Sequence, residues 1–413
     1  MRFERPLKIL IHGLNYAPEM VGVAVYTTGL AEELARRGHE VAVVAGKAYY
    51  PGWMVHPDLR GGWRRRTRQN NVDLTYVSHY IPANPSGLKR VLHHMSFAFS
   101  SVIPLLLLAW RQRPDVVFVV APSLIAAPFG RLAALVGGAK SWIHIQDFEV
   151  EAAIATGLVA RHGIGTRLAY WFEERVLQSF GRVSSISPAM CRKCADKGVA
   201  VDRIVEFRNW AEIDHIRPAE GTSTYRMDWN ILTPHVALYS GNIANKQGIE
   251  ILVEVAKSLS HRADLTFVIC GEGPNRVHLE RLAEGLTNVQ FHDLQPKERL
   301  NDLLGLATIH LLPQLAGTAD LVLPSKMANM MASGRAIIAT TLPETGLAEE
   351  VSGCGLIVPP GDAIGFARAI ETLLDHEDIR LEFALEGRKR AEERWERGSI
   401  IDHLEADFRT LLE

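Results

Sequence analysis

At 413 residues, 47% hydrophobic and 22% charged, the chain is long enough for two domains with full cores and too apolar to be largely disordered. Four cysteines exclude a disulfide framework, and no secretory signal precedes the first apolar run, so a reducing, cytoplasmic setting is expected. The net charge of −2 conceals a split: Met1–Trp210 carries 26 Lys+Arg against 16 Asp+Glu and the remainder 19 against 31, which points the first half toward something anionic.

Short apolar runs alternate with helical patterns along the whole chain. In the first half the spacing predicts strands at KILIHG, EVAVVAG, VDLTYVSHYI, DVVFVVAPS, SWIHIQ, VSSIS and IVEFRN. The helix VYTTGLAEELARRGH lies between the first two, with Gly38 as its stop signal. The basic run WRRRTRQ (Trp63–Gln69) reads as a solvated loop. Val91–Trp110 has 20 residues without Lys, Arg, Asp or Glu, the length of a membrane span. Its histidines, serines and Pro104, and the strand that follows at once, favour a sheet-covering helix; Lys89, Arg90, Arg111 and Arg113 at its ends also suit an interfacial one. Cys191 and Cys194 form a C-x-x-C with no second Cys/His pair near it, which reads as two helical cysteines rather than a metal or redox site.

Apolar periodicity lapses through NWAEIDHIRPAEGTSTYRMDWN, and strands resume at HVALYSGN, LTFVICGEG, VQFHDL, TIHLLPQ, RAIIATT and GLIVPP. Strands alternating with helices, apolar on both faces, imply parallel sheets covered on both sides. The expected fold is therefore α/β: two Rossmann-like domains, residues 1–210 and 211–394, with residues 395–413 in charged helices packed back on the first. Ligands of such sheets bind beyond the carboxyl ends of the strands.

Three strand ends of the second half carry polar, glycine-bearing loops. SGNIANKQG (Ser240–Gly248) and CGEGP (with Gly271 and Gly273) let a backbone approach closely, and helix starts attract phosphate. LPSKMANMMASG (Leu323–Gly334) either aims Ser325, Lys326 and Asn329 at an anion or is an ordinarily capped helix start. Three such devices on one sheet edge, two of them with a lysine, favour a bound diphosphate. In the first half, HIQDFE ends a strand with His144 and Asp147; His144 suits a ligand contact or a satisfied core histidine, and Asp147 a contact or a helix cap.

Strand-G-N-x-x-x-x-Q-G-helix, then G-x-G-P, then P-S-K-x-x-x-x-M-A-x-G resembles the retaining, family 4 glycosyltransferases of the GT-B fold. LNYAPE, HIQDFEVEA, the loop motifs and LPSK are most similar to the colanic-acid-type members that build bacterial exopolysaccharide, some of them described as fucosyltransferases. The resemblance implies transfer of a sugar from a GDP- or UDP-linked donor to a saccharide acceptor, which we expect to be lipid-linked, with no cofactor and no bound metal. It implies front-face substitution, in which the leaving phosphate helps deprotonate the acceptor. Asp147 would then hold the acceptor hydroxyl or offset positive charge on the sugar, His144 would contact the donor sugar, and Gly22 would let acceptor and phosphate approach.

Two departures from the family pattern shift the expected roles. Asn242 and Gln247 stand where an Arg and a Lys usually hold the pyrophosphate, with Lys246 adjacent, and Asn329 stands for the carboxylate that usually holds the ribose. Lys326 is thus expected to neutralise the leaving diphosphate, while Asp320 or Glu344 supplies the remaining donor-sugar carboxylate. The rivals are a GT-B nucleotide-sugar epimerase and a catalytically degenerate nucleotide-sugar sensor. An NAD enzyme lacks its G-x-G-x-x-G here, and no aromatic–basic interleaving supports nucleic-acid binding. The basic first half and Val91–Trp110 lead us to expect peripheral attachment at the inner face of the plasma membrane.

Overall fold

The computed structural model describes residues 5–20, 22–155, 163–211, 213, 215–243, 247–315 and 323–413. The chain divides into two units, one formed by residues 1–207 with 401–413 and the other by residues 208–400.

The first unit is built on strands β1 (Lys8–Gly13), β2 (Glu40–Gly46), β3 (Arg64–Gln69), β4 (Val72–Val77), β5 (Val116–Ala121), β6 (Lys140–Ile145), β7 (Arg182–Ser185) and β8 (Ile204–Glu206). They form one sheet in the order β3-β4-β2-β1-β5-β6-β7-β8. All neighbours are parallel except β3 and β4. Helices α1 (Val23–Arg36), α2 (Gly87–Gln112), α3 (Ala127–Gly137), α4 (Glu149–Ala155), α5 (Ile164–Ser179) and α6 (Pro188–Asp196) make the connections. The central strands are apolar throughout because both faces are covered: every residue of β5 is buried.

Strand β3 corrects the loop expected for the basic run. Residues 64–69 pair antiparallel with β4, Arg64 opposite Val77 and Gln69 opposite Val72, although all six are exposed. A strand with no buried face has no apolar alternation to betray it, and its arginines suit a sheet edge that must not recruit further strands.

The second unit holds α7 (Tyr225–Asp228), β9 (His235–Ser240), α8 (Glu250–Ser258), β10 (Leu265–Cys270), α9 (Arg276–Leu282), β11 (Val289–His292), α10 (Leu300–Gly305) and β12 (Ile309–Leu312). It continues with α11 (Ser325–Ala332), β13 (Ala336–Thr340), α12 (Gly346–Val351), β14 (Gly355–Val358), α13 (Ala363–Asp375) and α14 (Glu377–Trp395). Its six strands are all parallel, in the order β11-β10-β9-β12-β13-β14. One core, with Tyr239, Leu252, Phe267, Ile338 and Phe366, lies under α8 and α13; another, with Met330, Met331, Ile337, Leu347 and Trp395, lies under α11 and α14.

The last helix, α15 (Arg397–Leu412), ends in the first unit. Phe408 packs edge-on against Trp142 (5.1 Å) and Phe118 (5.8 Å), and Glu405 lies 3.4 Å from Arg37 and 3.3 Å from His39. The C-x-x-C cysteines sit on α6 as free thiols, Cys194 fully buried.

Candidate functional site

The devices named on the second half converge at the carboxyl ends of β9, β10 and β12 and the start of α11. Lys326 stands in the first turn of α11, behind the N-capping Pro324, which offers no side-chain cap. The residue as a whole is half-buried, yet its Nζ has almost no accessible surface and no hydrogen-bond partner among the described residues. The ammonium rests 4.0 Å from the centroid of the Tyr239 ring, and a Cβ on Gly241 would lie 3.6 Å from it. Burial lowers its pKa to about 7, because little compensates the charge it keeps out of water. One turn on, Asn329 Oδ1 is also buried without a partner among the described residues. The 3- or 4-residue spacing that puts two side chains on one helix face thus places an unpaired cation and an unpaired acceptor together.

Tyr239, absent from the residues singled out by motif, organises this corner. Its hydroxyl lies 2.6 Å from the Asn242 carbonyl and 2.8 Å from the Gln247 amide. A phenol has one proton, so donation goes to one of these, and the Gln247 amide can reverse to donate in turn. Burial raises the Tyr239 pKa, which keeps the phenol neutral. Asn242 and Gln247 are therefore held to the ring on which Lys326 rests. A tyrosine near the end of a buried strand, whose hydroxyl must find a partner, was the available sequence signal. Gln314, just past β12, is a second residue missed: its backbone N–H donates to Thr340 Oγ1 (2.7 Å), while its Oε1 is buried without a partner among the described residues.

The glycines do permit close backbone approach, here between two loops of the protein itself. Gly271 has φ 152° and Gly273 φ 159°, and a Cβ would fall 1.8 Å from Gly241 O and 2.2 Å from Ile243 O. The amides of Gly241, Ile243 and Gly271 donate to Cys270 O (2.9 Å), Glu272 O (2.8 Å) and His292 O (2.9 Å). The first two of these bonds join the ends of β9 and β10 and their loops, and the third ties Gly271 to the end of β11, which sets Gly241 beside Lys326. Glu344 is exposed, two residues before α12, whose start is capped by Thr345. Lys246 and Asp320 lie outside the described residues, as does the side chain of Ser325.

In the first unit the geometry corrects the role expected of His144. It is 1% exposed; Nδ1 is 2.9 Å from Ser184 Oγ and Nε2 3.0 Å from the Gln146 amide. Its ring stacks on Phe118 and meets Phe207 edge-on at 4.8 Å. Burial pushes its pKa down to about 3, so it is a neutral core histidine with both nitrogens engaged and no edge left for a sugar. Asp147, two residues past β6, is half-buried in the bend before α4. Gly22 is exposed at the N-cap of α1 with φ 64°, and a Cβ there would meet nothing within 4 Å. Its place is set by its backbone conformation rather than by crowding. Among the described residues no three His, Cys, Asp or Glu side chains gather as metal ligands.

Residues 234–376 match the family described as glycosyl transferases group 1, and residues 21–210 the glycosyl transferase 4-like domain. The chain is 37% identical over 391 residues to the putative colanic acid biosynthesis glycosyl transferase WcaI of Escherichia coli K12, covering 92% of this chain and 95% of that protein. It is 31% identical over 149 residues to the alpha-D-kanosaminyltransferase of Streptomyces kanamyceticus, 35% of this chain and 38% of that one. Among solved structures, sucrose-phosphate synthase of Thermosynechococcus elongatus superposes with a TM-score of 0.72 at 16% identity, over 98% and 99% of the two chains. Anabaena HepE in complex with UDP superposes with 0.71 at 14% identity, over 98% and 100%.

Proposed function

Because the chain belongs to the group 1, family 4-like glycosyltransferases and has their GT-B fold, we propose that it moves a sugar, with retention, from a nucleoside-diphosphate donor to a lipid-linked saccharide in the synthesis of a cell-surface polysaccharide. The polysaccharide setting rests on the likeness to a colanic acid enzyme across nearly the whole chain, and the donor class on a relative of the same fold that was solved with UDP. The second unit takes the donor and the first the acceptor.

The observation that carries this reading is the buried Lys326 Nζ beside the buried Asn329 Oδ1, both without a hydrogen-bond partner among the described residues. Breaking a sugar–phosphate bond leaves an oxocarbenium-like sugar and a diphosphate of increased negative charge. A preorganised cation aimed at that charge stabilises the transition state more than the ground state. Asn242 and Gln247 carry no charge, so Lys326 does this work, aided by the start of α11. Its lowered pKa puts the free lysine near half protonation at neutral pH, and a diphosphate drives it to the charged form. Asn329 accepts from the ribose hydroxyls. The leaving phosphate, rather than a protein nucleophile, assists deprotonation of the acceptor.

The test is release of nucleoside diphosphate from UDP-, GDP- and ADP-sugars with and without a membrane-extracted lipid acceptor. Acceptor-dependent release is expected, and Lys326→Ala should reduce turnover about 10²–10³-fold, the scale for one lost oxyanion donor. Release that ignores the acceptor, or wild-type turnover in Lys326→Ala, would contradict the proposal.

A further inference from the structure

Helix α2 has two unlike faces. His93, Phe97, Ala98, Ser101, Leu105 and Ala109 are all fully buried in the first unit. Ser101 Oγ is 3.0 Å from His12 Nε2 on β1, and His93 Nδ1 is 2.6 Å from Tyr80 O. The other face repeats at three- and four-residue steps, with Leu88, Leu92, Met95, Phe99, Ile103, Leu107 and Trp110, which are 36% to 74% exposed. Single exposed apolar side chains are ordinary, but seven in one row along a 26-residue helix are a surface that needs covering. The row widens onto α3, whose Phe129 ring lies 5.9 Å from that of Phe99, and whose Leu132 and Leu135 are exposed.

Charge selects what covers it. Neither α2 nor α3 contains an Asp or Glu, while Lys89, Arg90 and Arg111 on α2 and Arg113 at its C-cap are all exposed. A second copy of this face would bring only like charges to the contact. A bilayer with anionic headgroups offers hydrocarbon to the row and negative charge to its two basic ends. The anchoring of the opposite face in the protein's own core prevents α2 from crossing such a bilayer.

We propose that α2 lies flat on an anionic phospholipid bilayer, with the Leu88–Trp110 row and the α3 leucines inserted at the boundary of headgroups and acyl chains. The inference does not use the donor chemistry, so the two stand or fall separately.

The test uses the full chain with phosphatidylcholine vesicles, with and without phosphatidylglycerol. Wild-type protein should sediment with the anionic vesicles, partly resist elution by salt because insertion is not screened, and stay in solution with neutral ones. The triple variant Phe99→Ser, Ile103→Ser, Trp110→Ser changes only exposed positions and should keep its fold by circular dichroism. It should partition at least ten-fold less and lose the salt-resistant fraction. Lys89→Glu with Arg90→Glu should weaken binding at low salt only. Wild-type protein in the supernatant under all conditions would overturn the proposal, as would a triple variant that binds like wild type. Self-association of the wild type that the triple variant abolishes, seen by sedimentation velocity without vesicles, would assign the face to a second copy instead.

Discussion

A lysine ammonium with almost no accessible surface and no hydrogen bond among the described residues is costly unless something else makes use of it. Tyr239 supplies a cation–π contact at 4.0 Å, but burial still lowers the Lys326 pKa to about 7. In the unfolded chain a lysine titrates near 10.5, so between these values the unfolded state binds more protons and stability rises with pH. Below pH 7 both states are protonated and the contribution is flat. Relative to Lys326→Met, the wild type should therefore gain stability by up to about 1.4 kcal/mol per pH unit above pH 7. Urea midpoints of the two proteins between about pH 6 and 9 measure this difference; a constant or falling difference would show that the ammonium is not desolvated. His144 is the contrasting case, since its nitrogens are hydrogen-bonded within the core and its neutrality serves packing alone.

At the scale of elements, the proposed donor corner is a junction of two loops clamped by glycines. Gly271→Ala would drive a Cβ into Gly241 O, 1.8 Å away, and Gly241 in turn abuts Lys326. We expect roughly 1–3 kcal/mol of destabilisation by overcrowding together with weaker nucleoside-diphosphate binding; thermal melting and a binding titration read the two. A variant that matches wild type in both would contradict the clamp. Parallel strands with covered faces are legible as unbroken apolar runs, which is why all thirteen of the segments from KILIHG to GLIVPP and the turn at Gly38 could be read at once. Edge strand β3 was not legible, because its six exposed residues carry no pattern of burial. The site divided along similar lines. Lys326 and Asn329 stood out in the sequence as polar residues in a methionine-rich helix, and their place together in the candidate site is the part that the sequence made legible. The use of the Gly241 and Gly271 amides within the protein, and the placing of Tyr239 under Lys326, depend on contacts between loops distant in sequence.

Taken whole, the molecule separates charge as it separates units. Residues 1–207 with 401–413 carry 26 Lys+Arg against 20 Asp+Glu, or +6, and residues 208–400 carry 19 against 27, or −8. If the second unit takes a diphosphate as proposed, its net negative charge requires that the anion be met by local cations rather than by the unit's overall field. If Lys326 and the start of α11 suffice, EDTA should leave turnover largely unchanged; loss restored by Mg²⁺ or Mn²⁺ would show that a divalent ion carries the diphosphate charge. The +6 of the first unit suits an anionic bilayer, and α15 lowers it by bringing Asp402, Glu405 and Asp407 to that unit.

The claim on which the account turns is that Lys326 receives a diphosphate, and calorimetric titration with UDP, GDP and ADP tests it without requiring the sugar or the acceptor. One of the three should bind wild-type protein, and at pH 8 its binding should take up protons, read as a dependence of the heat on buffer, because the diphosphate charges a lysine whose pKa is about 7. Lys326→Ala should weaken that nucleotide roughly 10–100-fold, the value of one charge-assisted hydrogen bond, and abolish the proton uptake, while the affinity for the bare nucleoside is unchanged. Equal affinity and equal proton uptake in the two proteins would contradict the account.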